Sequence, residues 1–372
     1  MTWETVPFNR AFVDVTRQSP KVKQREFASA GRFPVVDQGV DDVAGFWDDP
    51  ADVTRVARPL VLFGDHTRRV KYATSDFVMG ADGVKALAPC PQLEPRFAFW
   101  WLSALSIPSA GYSRHFKFLQ DRHVPIPQLA EQRRIAAILD EADALIKMAR
   151  TRRNSLDDAE DSLFAVTLGD TVGLERRTLA DFAREFRYGT SEKSGPSGVP
   201  VLRIPNLTGR VVDTTDLKTV SLSPAELSRL ELSDQDVLFV RSNGNPNVVG
   251  RAGAFASVPP AQRDGATWVF ASYLIRSRLA EGVSARAVVA LTRSPIAKRH
   301  FRAAASTSAG QYNISIPVLR ALPMFDPTSE RTTEFERGMD HIERLRTSAR
   351  RAERFNHELF ASLQHRAFRG EL

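Results

Sequence analysis

Cysteine is almost missing from this chain: Cys90 is the only one in 372 residues. That excludes disulfides and any zinc site built from several thiolates, and it fits a reducing compartment. No run approaches the roughly 18 apolar residues of a membrane helix. The opening MTWETVPFNR also lacks the apolar core of a signal peptide, so a cytoplasmic location without membrane contact is expected. The seven histidines, His66, His115, His123 and His300 among them, are scattered without ligand spacing, and no metal site is expected. A GxxxxGK[S/T] phosphate loop is absent, which excludes a P-loop ATPase or translocase. GNPNVVGRAG lacks the Rossmann glycine spacing, and NGNPNV is a poor substitute for the aromatic-ended Pro-Pro motif of an amino-methyltransferase. No catalytic constellation stands out, so the chain itself is expected to be no enzyme.

What is present describes a globular protein long enough for two domains with separate cores. The net charge of +7 and the pI near 9.7 come from arginine more than lysine, as in RTRRN at 150–154 and RRAERF at 350–355. Arginine's planar fork suits phosphate oxygens and guanine edges, which makes nucleic acid the leading partner class. A charge this modest on 372 residues decides nothing alone.

The chain is organised around Pro125–Leu168. Ile135, Ile138, Leu139, Ala142, Leu145, Ile146 and Ala149 recur at steps of three and four, so a helix would gather them into one apolar stripe. Pro125 and Pro127 bar an earlier start, and Gly169 offers a stop. Some 40 helical residues at about 1.5 Å each make a rod of about 60 Å, which needs a partner helix. The same chain supplies one: Phe335, Met339, Ile342, Leu345 and Ala349 answer Ile135, Leu139, Ala142, Leu145 and Ala149 in order. Upstream, Ser308-Ala309-Gly310 answers Ser109-Ala110-Gly111, and Pro323 answers Pro125. A duplicated unit of globular segment plus long helix follows. The carboxylates Asp157, Asp158, Glu160 and Asp161 are expected on the rod's solvated face.

The expected organisation is therefore a first globular segment at 1–124, a long helix within 125–170, a second segment at 171–326 and a C-terminal helix within 327–372. The fold class is α+β: two mixed α/β domains joined by two long antiparallel helices forming a coiled coil, with an internal pseudo-two-fold repeat. In the first segment, PLVLF leads through a Gly64-Asp65 turn to His66, Arg68, Arg69 and Lys71. RFAFWWLSAL reads as a core helix, with Trp100 and Trp101 in the core. Tyr112, Arg114, His115 and Lys117 interleave aromatic and basic groups, suited to stacking on bases while neutralising phosphates, or else to a solvated closing loop. In the second segment LADFAREF is helix-like, and VPVLRIPNL is a strand with Arg203 projecting. DVLFVRSNGNPNVVGRAGAF places Arg241, Asn243, Asn245, Asn247 and Arg251 among glycines. Asparagine can pair bidentately with adenine and arginine with guanine; the same Asn-Gly and Asn-Pro steps are ordinary turn chemistry.

PIPQLAEQRRIAAILDEADAL, RSNG within DVLFVRSNGNPNVVGRAG, SAGQYNIS (with Gln311 and Asn313) and SLQHRAFRGEL together resemble the specificity subunit of type I DNA restriction-modification enzymes, over essentially the whole chain. The resemblance implies two target-recognition domains, each reading half of a split double-stranded DNA target, held apart by the two helices. It implies no cofactor on this chain. S-adenosylmethionine would sit in two partner methyltransferase subunits, and ATP and Mg in motor-nuclease subunits where these join. The second helix opens as PMFDPTSERTTEF, without the LAEQ of Leu129–Gln132, which puts equal docking at the two repeats in question. Half-sites on one face of B-DNA would lie about one turn apart, roughly 34–36 Å. The alternatives are a coiled-coil scaffold that binds protein, or a specificity subunit serving a solitary methyltransferase or another phage-defence complex.

Overall fold

The computed structural model describes residues 3–81, 83–108, 111, 113–174, 176–263, 265–308 and 310–372. Tyr112, Ser109, Ala110 and Ala309 of the expectations above lie outside the described residues. The chain forms two compact units, Met1–Arg150 with Arg350–Leu372, and Thr151–Ala349. The central helix, Leu129–Thr167, and the C-terminal helix, Glu330–Ala367, are each continuous. Neither is a separate spacer body, because each unit takes one end of the first and the opposite end of the second.

In the first unit a four-stranded antiparallel sheet runs in the order Phe12–Asp14, Val84–Pro89, Leu60–Gly64, Val70–Ala73. Beside it, Phe77–Gly80 pairs in parallel with Phe33–Val36, which pairs antiparallel with Gly45–Trp47. The helix Pro95–Ala104 starts where the Glu94 side chain accepts from the Phe97 N–H at 2.6 Å, with proline in its first turn. Trp100 and Trp101 on this helix are both buried in the core. Ile135, Ala136 and Leu139 of the central helix pack there with Phe360, Leu363, Ala367 and Phe368. Burying side chains such as Ile135 and Leu139, both fully sealed, contributes about 1.5–3 kcal/mol each. Within this unit the helix ends run antiparallel: Arg134 Nη2 donates to the Leu372 carbonyl at 2.9 Å, and Asn356 Nδ2 to the Leu145 carbonyl at 3.2 Å.

The second unit repeats the wiring. Its four-stranded sheet runs Ala183–Tyr188, Leu274–Leu279, Asp236–Val240, Ala252–Ala254. Val269–Phe270 pairs in parallel with Val199–Leu202, which pairs antiparallel with Lys218–Val220. In both units, then, the first strand joins the last and the last joins a middle one; the second sheet has five strands and two parallel pairs in the first unit, and three strands and one parallel pair in the second. Phe164 meets Phe335 edge-on at 6.0 Å, and Met339 and Ile342 join the same core. The helix ends are antiparallel here also, with Glu160 against Arg346 and Asp170 against Arg331.

Three expectations change. LADFAREF is helical only over Leu179–Phe182 and continues as the strand Ala183–Tyr188, because pairing with Leu274–Leu279 outweighs helix propensity. Leu145, expected in the apolar stripe, is 41% exposed. Glu160 is buried rather than solvated, held by Arg293 at 2.5 Å and Arg346 at 2.8 Å.

The LAEQ opening has a structural use. Gln132 is fully buried; its Oε1 accepts from the Glu94 N–H at 2.7 Å and its Nε2 donates to the Gln92 and Pro127 carbonyls at 2.9 and 2.8 Å. One amide thus fastens the helix start to the segment before the core helix. In the C-terminal helix the buried Thr332 hydroxyl donates to the Asp326 carbonyl at 2.8 Å, a shorter clasp to a nearer loop.

Candidate nucleic-acid interface

The site builds from the end of a buried strand in the second unit. Asp236–Val240 is buried throughout, so its direction is fixed by the core on both faces. It delivers Arg241 to the rim, where the Arg241 N–H donates to the Tyr273 carbonyl at 2.8 Å and its carbonyl accepts from the Ile314 N–H at 3.0 Å. The next residues, Ser242–Asn243, pair antiparallel with Gln311–Asn313, which also pairs with Ser306–Ser308. This short sheet joins two sequence stretches, RSNG and QYN, that lie far apart in the chain. The Ser242 hydroxyl donates to Gln311 Oε1 at 2.8 Å. The Arg241 guanidinium lies 4.6 Å from the centre of the Tyr188 ring, whose hydroxyl accepts from the Ile316 N–H at 3.2 Å. Such stacking fixes the plane of the guanidinium, which bidentate contacts require.

Asn243 and Asn245 serve the turn as well. Asn243 Oδ1 accepts from the Asn245 N–H at 2.9 Å, and Asn245 Oδ1 accepts from the Asn247 N–H at 3.0 Å. Both are Asx turns, the ordinary turn chemistry of these residues. Their amide nitrogens are the groups left to face a ligand. Asn313 Nδ2 makes only a long 3.3 Å contact with the Gln311 carbonyl. Below the rim, Arg276, 1% exposed, pairs with Glu185 at 2.6 Å, and Arg278 with Asp236 at 2.8 Å. Burial pushes the Glu185 carboxyl up, but the Arg187 hydrogen bond and the charges of Arg276 and Arg187 hold it below its ordinary value. It remains an anion that anchors the sheet.

Arg203 is not at this rim chemistry. Its guanidinium is tied to Asp216 at 3.0 Å and to the Asp216 carbonyl at 3.1 Å, which makes it a loop fastener. Arg251 is half-buried, with Gly209 against its side chain.

The first unit has Asp65 at the corresponding strand end, after Leu60–Gly64. It is buried: its carbonyl accepts from the His115 N–H at 2.8 Å, and its Oδ1 accepts from the Phe116 N–H at 2.7 Å. His115 is 1% exposed, with Nδ1 2.9 Å from the Asp65 carbonyl. It therefore closes the loop from inside instead of presenting its ring to a ligand. Arg68 adopts a left-handed φ of 61° in the tight connection between strands and donates to the Ile107 carbonyl at 2.8 Å. Lys71 donates to the Asp41 carbonyl and lies 3.6 Å from Asp37. His66 is half-buried, its N–H donating to Gln38 Oε1 at 3.1 Å. Arg69, Arg114 and Lys117 are exposed, and Lys117 lies over the Phe118 ring at 5.1 Å. The first unit's basic cluster is thus split into structural and free members. Tyr188, Ser242, Lys298 and Arg302 went unread in the sequence, although PIAKRHFRAA does place Lys298 and Arg302 four apart on one helix face.

Among the described residues no group of three or more His, Cys, Asp or Glu side chains could hold a metal ion, and no helix is long and apolar enough to cross a membrane. Fold and site together define a two-unit mixed α/β protein with two long helices and a polar, arginine-bearing rim.

No known family profile matches the chain. It is 26% identical over 272 residues to the type I restriction enzyme EcoKI specificity subunit of Escherichia coli (strain K12), and 22% identical over 272 residues to the StySPI specificity subunit of Salmonella potsdam. Each match takes in 67% of this chain and spans 58% of the relative's length. In fold it is similar to the type I restriction-modification S subunit of M. genitalium, with a TM-score of 0.50 at 11% identity, covering 98% of this chain and 96% of that one. It is likewise similar to a chain from work on complex assembly and conformational transition of the type I R-M system, with a TM-score of 0.51 at 13% identity, covering 100% and 98%. In sequence and in fold, then, the chain is similar to type I specificity subunits.

Proposed function

We propose that this chain reads DNA sequence for a type I restriction-modification complex and has no active site of its own. One observation carries the reading beyond similarity. The short sheet of the second unit brings Asn243, Gln311 and Asn313 onto two adjoining strands beside Arg241, Asn243 opposite Tyr312 and Asn313 opposite Ser242, with the arginine plane set by Tyr188. Arginine and the amide residues are the side chains that distinguish guanine and adenine edges, so their nearness along one short sheet suits base reading. Exposed Arg69, Arg114 and Lys117 in the first unit suit phosphate contact and register. The two rims differ, Arg241 standing where the other unit has Asp65, and unlike rims read unlike sequences. The target is therefore asymmetric and bipartite. Methyltransferase partners, expected as two copies, supply S-adenosylmethionine and the chemistry; restriction subunits, where they join, supply ATP- and Mg-dependent cleavage.

The test is methylome sequencing of cells that carry this chain with its methyltransferase. A split, asymmetric motif that disappears when this chain is deleted is the expected result. A continuous motif, or one indifferent to the deletion, refutes the reading. A protein-binding scaffold would also show no duplex binding that weakens steeply with salt.

A further inference from the structure

A cavity of about 260 Å³ opens in the second unit between the loop after the Asn-rich turn and the helix Pro295–Ala304. Thr208, Gly209, Asn247, Arg251, Lys298 and Arg302 line it, with Arg293 at its wall. An adjoining hollow shares Pro246, Asn247, Phe301 and Arg302 with it and reaches Tyr312, in the middle of the strand Gln311–Asn313. Through this hollow the cavity adjoins the strand that forms part of the rim.

Its charge is one-sided. Arg293 is neutralised by Glu160 at 2.5 Å and Asp161 at 2.6 Å. Arg251, Lys298 and Arg302 meet no carboxylate among the described residues, and no Asp or Glu lines the cavity. Arg302 donates to Asn247 Oδ1 at 2.6 Å, which aims its guanidinium along the wall. Lys298 and Arg302 are one helical turn apart and so share a face. Gly209 lines the cavity, and Gly250 lets Phe301 of its wall pack close. At Gly209, φ +93°, a Cβ would stand 3.2 Å from Arg251 Cγ; at Gly250, φ +81°, a Cβ would stand 2.3 Å from the Phe301 ring. Three cations gathered without a counter-ion repel one another, and an anion between them relieves that repulsion.

We infer that this cavity is a phosphate site, and that in the complex it holds one backbone phosphate of the half-site read by the neighbouring rim. The second clause rests on the DNA-reading proposal; the first does not. Phosphate contact would set the register in which Arg241 and the amides meet base edges, without itself selecting sequence.

The experiment uses the full chain, with Lys298→Gln, Arg251→Gln and Arg302→Gln compared with the parent. Binding to a duplex carrying the methylated motif, and to an unrelated duplex, is followed by fluorescence anisotropy from 50 to 200 mM salt. Each variant should weaken both duplexes about equally and lower the steepness of log K against log salt by about 1. Lys298→Arg should restore the slope, which separates lost charge from lost folding. Parent-like slopes in all three variants overturn the DNA assignment. In a second arm, inorganic phosphate is added and thermal stabilisation is read. If the parent binds no duplex, the DNA-reading proposal has failed, but a phosphate shift in the parent that disappears in Lys298→Gln and Arg251→Gln still supports the phosphate site, filled by a free phosphate. Unchanged slopes together with equal shifts in parent and variants overturn the site in both forms.

Discussion

Glu160 of the central helix and Arg346 of the C-terminal helix meet at 2.8 Å in the second unit, with side chains 4% and 5% exposed. Arg293 reaches the other Glu160 oxygen at 2.5 Å and Arg210 stands 3.3 Å away, so one carboxylate serves three arginines from three parts of the chain. Removing its charge leaves Arg346 to Asp157 at 3.1 Å and Glu343 at 2.9 Å, and Arg293 and Arg210 to Asp161. Glu160→Gln should cost about 1.5–3 kcal/mol of stability, the scale of hydrogen bonds to charged groups, and not more, because Asp157, Asp161 and Glu343 still face the three arginines. Asp158→Asn, two residues away and exposed, should stay within about 0.5 kcal/mol of the parent. Urea unfolding of both variants makes the comparison, and equal midpoints would refute the structural role of Glu160.

Acid should act through Asp161. Burial raises its carboxyl, but hydrogen bonds and charge from Arg293 and Arg210 prevail and hold it below the ordinary 3.8. A carboxylate with a lowered folded value contributes stability that is complete above the unfolded value and is lost as pH falls through the lower folded one. Thermal melts should therefore be flat in this contribution above about pH 4 and fall below it. Asp161→Asn should be less stable at pH 6 and should lose less between pH 4 and pH 2. A parallel fall in parent and variant would count against the assignment.

Periodicity made the two long helices legible, since a side chain's face on a helix follows from its number. It located Ile135, Leu139, Phe335, Met339 and Ile342 on buried faces. It failed at Leu145, exposed although in phase, because spacing gives the face but not the length over which a neighbour covers it. Glu160 was misread for a related reason. Its partners Arg293 and Arg346 lie 133 and 186 residues away, and no local pattern carries that information. In the candidate site, RSNG and QYNIS were each visible as segments, yet their pairing was not. His115 shows the limit of composition: a basic–aromatic run describes a buried loop closure as readily as an exposed contact.

The two helix openings should differ in what they contribute. Gln132→Leu removes two donated bonds and leaves the half-buried Glu94 N–H without its acceptor, a change of about 1–3 kcal/mol for polar groups left unsatisfied. Thr332→Val removes the bond to the Asp326 carbonyl and a longer 3.2 Å contact with the Ser329 hydroxyl, and should cost about 1 kcal/mol. Thermal unfolding should order them parent, Thr332→Val, Gln132→Leu. The reverse order would mean that the Gln132 clamp is dispensable.

The rim gives the most direct test of which unit reads what. Arg241 is held over Tyr188 and sits at the junction of the buried strand and the short sheet. Arg241→Ala and Asn313→Ala each remove a side chain from the second unit without touching its core. Each should relax sequence choice at positions in one half of the target only, at about 1–3 kcal/mol per lost bidentate contact. The methylome should then show one degenerate half beside one intact half, with the gap unchanged. Tyr188→Leu should give a weaker form of the Arg241→Ala pattern, because it frees the guanidinium plane but keeps its charge. Equal loss in both halves would mean that the rim supports the complex as a whole and does not read bases.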